Sequence, residues 1–271
     1  MAFDKAYTNL AYDGVNFKHF YGANLVLLAN AWTHTMLARA CQSQTVQPQM
    51  NHYLEVLYRY MLSECVARFF PRKLQNIATR MHESDARAVL EQDLVDPSTP
   101  VVCVGLARAG THPNHILFEE LCYLLDPKKV RQDHFYINRM TNQQGEVTGV
   151  NVSGSKIGGD KQDAIVLFPD PMGATGSSLK HCYDHYQKQV HGKARRLISM
   201  HLIVTPEFIR RMQKDCPELT IITLRVDRGT SDKEILSTEL GSSKLESGLN
   251  TVDYIIPGAG GVGEVLNNSY V

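Results

Sequence analysis

"DAIVLFPDPMGATGSSLKHCYDHYQKQV", residues 163–190, decides the fold of this chain. The opening "DAIVLFP" is a short, continuous apolar run, as in a strand buried on both faces. The closing "SSLKHCYDHYQKQV" places Leu179, Cys182, Tyr183, Tyr186 and Val190 on one face of a helix. Between them the apolar run breaks at Asp170, and small residues follow: Gly173, Ala174, Thr175, Gly176, Ser177 and Ser178. A strand, a glycine-rich turn and a helix form the unit of a parallel sheet, and ligands of such sheets sit beyond the carboxyl ends of the strands. Glycine lets backbone approach closely, Ser177 and Ser178 are suited to capping the helix, and the N–H groups of its first turn face outward. That arrangement suits a phosphate monoester, with Thr175 and the serine hydroxyls as further donors. Asp170 would repel phosphate; its carboxylate matches the vicinal hydroxyls of a sugar. A plain N-capped turn shares the Gly/Ser pattern, and only the longer string "DPMGATGSS" is more particular.

Strands and helices alternate on both sides of this unit. "PVVCVGLA" is a Val-rich strand, "HILFEELCYLL" a helix and "HFYINRM" a second strand. "RLISMHLIV", "PEFIRRMQKD" and "LTIITLRV" read as strand, helix and strand. The pattern predicts an α/β fold whose parallel sheet is covered on both sides. Between them, "TNQQGEVTGVNVSGSKIGGDKQ" reads as a mobile hairpin or loop. From Asn24 to Leu74 the spacing is helical, with Leu54, Leu57, Tyr58, Met61, Cys65 and Phe69 in one stripe that ends at Pro71. "HESDARAVLEQDL" continues as a polar-faced helical piece. Residues 1–24 read as an arm over the body or over a partner. After Val226 a Ser/Glu/Lys-rich insertion runs to about Glu246, with little to bury. "TVDYIIPGAGGVGEVL" then gives a strand, a glycine-rich turn and a short helix.

Composition narrows the function classes. A chain of 271 residues with a formal net charge of +0 has no basic field for nucleic acid or an anionic membrane. An anionic ligand must therefore be met locally, by backbone N–H groups and a few arginines. The six cysteines are scattered without C-x-x-C spacing, and Cys103 and Cys122 lie in apolar runs, as expected of reduced thiols in a cytoplasmic protein. The N-terminus has no signal-peptide pattern, and "NLVLLANAW" is too short to span a bilayer.

"DPMGATGSS" resembles the phosphoribosyl-diphosphate (PRPP) loop of uracil phosphoribosyltransferases, a branch of the type I phosphoribosyltransferases. "VGLARAG" is similar to the family's first diphosphate-contacting loop, and "INRM" falls where the family carries a second PRPP-binding arginine. "GLNTVDYIIPGAGGVGEVL" resembles its uracil-reading hood, and "MLARACQSQTVQPQMNHYLEVLYRYMLSEC" its N-terminal helical segment. The likeness runs roughly from Asn24 to Leu266. It implies a single phosphoribosyltransferase-like domain over residues 1–271: an arm (1–24), a mainly helical part (24–98), the core sheet with the PRPP loops (99–226), and the insertion and hood (227–271).

The activity implied by the resemblance is uracil plus PRPP giving UMP and pyrophosphate, in pyrimidine salvage, with Mg²⁺ bound through the diphosphate and no metal held by protein side chains. The catalytic residues implied are Asp170, on the ribose diol, and Arg108, on the leaving diphosphate. PRPP would be bound by Arg108, Ala109, Gly110, Arg139, Asp170, Pro171, Met172, Gly173, Ala174, Thr175, Gly176, Ser177, Ser178 and Gly261. Uracil would be read by the backbone of Ile255, Gly260, Gly261 and Val262. The resemblance also implies a homodimer or higher homo-oligomer, with neither nucleic acid nor membrane as a partner.

Three departures stand out. The hood usually carries Asp where this chain has Gly261; Glu264 lies nearby, one turn on. Gly173 and Ser177 alter the usual phosphate loop. "THPNHIL" and the insertion at 229–246 are unlike typical members, and His112 and His115, three apart, have the spacing of a metal pair. Gly261 leaves open a catalytically impaired or regulatory nucleotide-binding homologue, or a transferase for a different base.

Overall fold

Side chains of a strand point alternately to its two sides, so a strand that is apolar at every position needs cover on both. The computed structural model describes residues 16–141 and 147–270, with residues 138–141 and 147–152 described by their backbone alone. Its elements begin with β1 (Leu25–Leu27), α1 (Ala31–Ala40), α2 (Gln49–Phe69) and the strands β2 (Arg72–Ala78) and β3 (Val89–Val95). Then come β4 (Val101–Ala107), α3 (Thr111–Leu124), β5 (Val130–Thr141), β6 (Val147–Lys156) and β7 (Ile165–Pro169). The series continues through β8 (Met172–Gly173), α4 (Ser177–Gln189), β9 (Arg196–Val204), α5 (Pro206–Asp215) and β10 (Leu219–Val226). The short helices α6 (Lys233–Leu236) and α7 (Val262–Asn267) complete it.

The main sheet has the order β1-β10-β9-β7-β4-β5-β6, with β8 added to β9. Its pairs are parallel except β5 with β6. Val101 and Cys103 of β4 join Ile165 and Leu167 of β7 under α2 and α3, which contribute Leu54, Leu57, Tyr58, Met61, Ile116, Leu117 and Leu121. Val102 and Val104, with Val166 and Phe168, face the other way onto Leu179, Cys182 and Tyr186 of α4 and Phe208, Ile209 and Met212 of α5. The expected double-sided α/β sheet is thus observed, and the predicted spans of β9, α5 and β10 coincide with the observed ones. All six cysteines are free.

Three expectations are corrected. Leu25–Leu27 is not helical but an edge strand, paired with Ile221–Thr223 of β10. The polar piece after Pro71 forms no α-helix: β2 and β3 make an antiparallel hairpin whose pairing includes Leu74 with Asp93 and Ile77 with Leu90. Both of its faces are largely solvated, so burial imposes neither a period of 2 nor one of 3.6 on the sequence. At 251–257 the expected strand is a turn with one isolated bridge, Leu249 to Ile255. The loop after β5 does form a hairpin with β6; its residues 142–146 lie outside the described residues, as do residues 1–15 of the N-terminal arm.

Buried polar groups tie the layers together. Asp133 of β5, fully buried, accepts hydrogen bonds from Tyr186 Oη (2.8 Å), Gly158 N (2.8 Å) and Arg131 Nε (3.1 Å). Lys161 donates to the carbonyls of Tyr186 (3.3 Å) and Val190, which end α4, so a cation meets the negative end of that helix. Burial lowers the Lys161 pKa.

The segment after β10 is less loosely attached than its composition suggests. Glu246 is 1% exposed and accepts from Arg228 Nη1 (2.6 Å), Tyr21 Oη (2.5 Å) and Gly241 N (3.0 Å). Burial, and then the Glu246 carboxylate, push the Tyr21 phenol far above its ordinary pKa. Removing one partner of a buried ion pair strands the other, at about 3–5 kcal/mol. Glu246→Ala is therefore expected to lower unfolding stability in urea by about that amount, and a variant as stable as the wild type would show that this carboxylate does not pin the segment.

Candidate active site

The carboxyl ends of β4, β7, β9 and β10 share one edge of the sheet, the edge where parallel α/β folds bind ligands. A cleft of about 740 Å³ opens there, walled by the loop after β4, the turn after β7 and the C-terminal hood.

The β4 loop is held by close packing. A Cβ on Gly110 would lie 2.7 Å from the Pro169 carbonyl oxygen and 2.8 Å from that of Leu106, both backbone atoms of strands. Only glycine fits without moving the sheet. The Ala107–Arg108 peptide is cis. Arg108 lines the cleft, and its Nη1 donates to Ser269 Oγ (2.7 Å) and Ser269 O (3.2 Å), which brings the C-terminal segment over the loop.

The β7 turn is anchored from β9. Asp170 N donates to Met200 O (3.0 Å), Thr205 N to Gly173 O (3.0 Å) and Thr205 Oγ1 to Ala174 O (2.7 Å). Gly173 sits where a Cβ would come within 2.8 Å of Val204 Cγ1, and Gly176 has a φ of 76°. Ser177 and Ser178 do not cap α4, contrary to expectation. Gly176 is the N-cap, with no side-chain cap bond, and the serines are the first helical residues. The N–H groups of that first turn have no intrahelical partner. Thr175 Oγ1 and Ser177 Oγ are 3.1 Å apart at the mouth of the helix.

His201 and Arg211 of the neighbouring elements also reach this turn, and no motif in the sequence singles out either. Nδ1 of the fully buried His201 is 2.6 Å from the Asp170 carbonyl oxygen. Burial pushes its pKa down to about 4, so the ring is neutral near pH 7 and Nδ1–H is the donor to that carbonyl. Its edge meets Phe208, with ring centroids 4.6 Å apart. Arg211 of α5 donates through Nη1 to Thr175 O (2.9 Å) and Ser177 Oγ (2.5 Å), placing a guanidinium at the end of the turn. In the sequence, Arg211 is one polar residue among several in "PEFIRRMQKD". Only the packing of α5 against the turn distinguishes it.

The hood hangs from the end of β10. Asp227, 3% exposed, accepts from Arg225 Nε (2.6 Å) and from Gly258 N (2.8 Å). Gly258 and Gly260 have φ of 59° and 66°, which bends the chain back toward the cleft. Val262 and Ile255 are buried in the core, and Gly263 rests on Ala109, where an added Cβ would meet that residue's Cβ at 3.4 Å.

The cleft thus brings together Arg108, Ala109, Asp170, Met172, Gly173, Ala174, Thr175, Gly176, Ser177, Ser178, Ile255, Gly260, Gly261 and Val262. Gly110 lies behind the loop as packing. Pro171 turns its carbonyl to Leu202 N (3.0 Å) and Ile203 N (3.2 Å) of β9. Arg139 lies on β5 opposite Val150, and its side chain is outside the described residues. His112 and His115 face different partners, Glu55 at 3.9 Å and Glu119 at 3.8 Å. Among the described residues, no group of three or more His, Cys, Asp or Glu is placed to hold a metal ion.

The chain is similar to known proteins in sequence and in fold. The family model described as uracil phosphoribosyltransferase matches residues 27–243. A curated uracil phosphoribosyltransferase from Thermococcus gammatolerans is 35% identical over 83 residues, covering 31% of this chain and 36% of the relative. One from Pyrobaculum islandicum is 32% identical over 101 residues, covering 37% of this chain and 47% of the relative. The matched stretches therefore span less than half the length of these relatives. The solved structure of the AQ2163 protein from Aquifex aeolicus superimposes with a TM-score of 0.66 at 21% identity, over 91% of this chain and 99% of that one, a likeness of fold.

His201 makes the turn's anchorage sensitive to acid. With a pKa of about 4 when folded and an ordinary value of 6.5 when unfolded, it takes up protons in the unfolded state first. Its stabilising share is full above pH 6.5 and is lost as pH falls toward 4, by about 3 kcal/mol. His201→Asn, which does not titrate there, is expected to flatten that part of the stability–pH curve. Parallel wild-type and variant curves would contradict the assignment.

Proposed function

Because the chain belongs to the uracil phosphoribosyltransferase family, we propose that it transfers the phosphoribosyl group of PRPP to N1 of uracil, giving UMP and pyrophosphate. The observation that carries this reading is the uncapped first turn of α4 meeting Asp170, Arg108 and the hood around one cleft. In the reaction the C1′–O bond to the diphosphate breaks and its electron pair leaves with pyrophosphate. The N1 lone pair of uracil forms the new bond to C1′, and the N1 proton passes to solvent. No covalent bond to the protein is required; the site must position the substrates and balance charge.

In this reading the 5′-phosphate sits on the backbone N–H groups of residues 174–178, beside the Arg211 guanidinium. Asp170 accepts from the ribose hydroxyls, and His201 fixes the backbone from which that carboxylate projects. Arg108 takes the leaving diphosphate, where a guanidinium fork suits phosphate oxygens; Arg139 is assigned the same ligand. Uracil is read by the backbone of Ile255, Gly260, Gly261 and Val262, whose glycines allow close approach to a planar ring. Mg²⁺ arrives with PRPP and offsets diphosphate charge. The carboxylates at the cleft, Asp170 and Glu264, suit a metal-bearing anion better than a bare one.

The same reading includes a homo-oligomer. The β2–β3 hairpin projects with apolar side chains on both faces, Leu74 on one (49% exposed) and Ile77 and Leu90 on the other (42% and 43%), and a second copy of the chain is the cover we assign to it. No helix among the described residues is long and apolar enough to cross a membrane.

Incubating the protein with PRPP, Mg²⁺ and labelled uracil is expected to give labelled UMP. Arg108→Ala and Asp170→Asn are each expected to lower kcat/KM by about 100-fold or more, with circular dichroism unchanged. Absence of UMP at every substrate concentration would overturn the assignment. An Arg108→Ala variant with undiminished PRPP affinity would overturn the role given to that residue.

A further inference from the structure

The hood carries a carboxylate that the fold itself leaves unused. A Cβ built on Gly261 would lie 2.3 Å from Glu264 Oε2 and 2.9 Å from Glu264 Cδ. The Glu264 side chain is therefore folded back over Gly261 and fills the space that a side chain at position 261 would take. A glutamate at the third position of a helix often turns back in this way to accept the N–H of the N-cap residue. Here Gly261 is the N-cap of α7, and its N–H makes no bond to the carboxylate. Glu264 engages its surroundings only through the backbone: its N–H donates to Gly261 O (3.1 Å) and its carbonyl accepts from Ser269 N (3.0 Å). Among the described residues, its carboxylate has neither a hydrogen-bond donor nor an ion-pair partner.

This half-buried acceptor lines the same cleft as Asp170 and Arg108. A carboxylate to which the protein offers no donor is left able to accept one from a ligand bound in the cleft. We infer that Glu264 is a substrate-contacting residue of this hood, its carboxylate accepting a hydrogen bond from the bound substrates in the place that Gly261 leaves vacant. The inference rests on the transferase reading above. The donor is either an N–H of the base or a water on the Mg²⁺ that accompanies the diphosphate. Glycine at 261 and glutamate at 264 then act as a pair, because any side chain at 261 would displace the carboxylate.

Steady-state kinetics on the full chain test this with Glu264→Gln, Glu264→Ala and the double variant Gly261→Asp/Glu264→Ala. Both single variants are expected to lose about 10- to 100-fold in kcat/KM, the range for a hydrogen bond to a charged group. The double variant, with a carboxylate returned to the same space, is expected to recover part of the loss. A raised KM for uracil identifies the base as donor, and a raised KM for PRPP identifies the metal-bound water. Activity of Glu264→Gln within twofold of the wild type overturns the inference, as does a loss in both single variants that the double variant does not relieve. If the wild type makes no UMP, the transferase reading has failed, and calorimetry with Mg²⁺–PRPP, with and without uracil, then decides on Glu264. Tenfold weaker binding by Glu264→Gln supports the contact. Unchanged binding, or a wild type that binds neither ligand, overturns it.

Discussion

The site depends on two glycines pressed against β9 and α5. Gly173 leaves no room for a Cβ against Val204 and Phe208, and Gly176 turns left-handed beside Met212. Together they let the chain leave β7, touch β9 and enter α4 with no side chain on the N-cap residue itself. A Ser or Thr at the N-cap would satisfy the first-turn N–H groups from within. Here the N-cap supplies no such bond and, among the described residues, only the Ser177 N–H is met by a side chain, Thr175 Oγ1 (3.3 Å), while Thr205 and His201 hold the turn from behind through the carbonyls of Ala174 and Asp170. The same close packing recurs across the cleft, where Gly110 fits between the carbonyls of Leu106 and Pro169. The two loops are thereby fixed to adjacent strands, β4 and β7, and to each other.

Charge is placed by position rather than by amount. The chain is formally neutral, yet one guanidinium, Arg108 on the β4 loop, lines the cleft and another, Arg211 on α5, bonds the turn that walls it, while Asp170 and Glu264 supply acceptors. In the proposed function this divides the ligand by chemistry: phosphate and diphosphate meet cations and amides, and hydroxyls and N–H groups meet carboxylates. The buried ionic contacts serve the frame instead. Asp227 with Arg225 suspends the hood, Glu246 with Arg228 fastens the segment before it, and Asp133, paired with Arg131 on the same strand, joins β5 to α4 through Tyr186 Oη. Each of these carboxylates is enclosed and fully engaged, which separates them from Glu264.

Where burial enforced a period, the sequence was readable. The strands β4 and β7 are apolar at nearly every position, and β9 and β10 at most positions, because helices cover both faces, and α4 and α5 carry the matching stripes. Where burial was absent, the pattern misled. Nothing in "HESDARAVLEQDL" is forced inward, so a solvated hairpin and a polar helix look alike, and three residues of edge strand at Leu25–Leu27 merge with the helix that follows. The candidate site divides the same way. Asp170 and the 173–178 turn form one contiguous string that the residues themselves single out, whereas the Arg108 loop stands out only through the resemblance of "VGLARAG" to a family motif. His201 and Arg211 reach the turn only through the pairing of β7 with β9 and the packing of α5. The relation of Glu264 to Gly261 depends on a side-chain direction that spacing alone does not give.

The most direct measurement is a crystal structure of the protein with UMP. The account predicts the 5′-phosphate within about 3 Å of the backbone nitrogens of residues 174–178, with Arg211 beside it, the ribose hydroxyls on Asp170 and the uracil ring under the hood. A nucleotide bound with its phosphate elsewhere, and the first turn of α4 left to solvent, would contradict it.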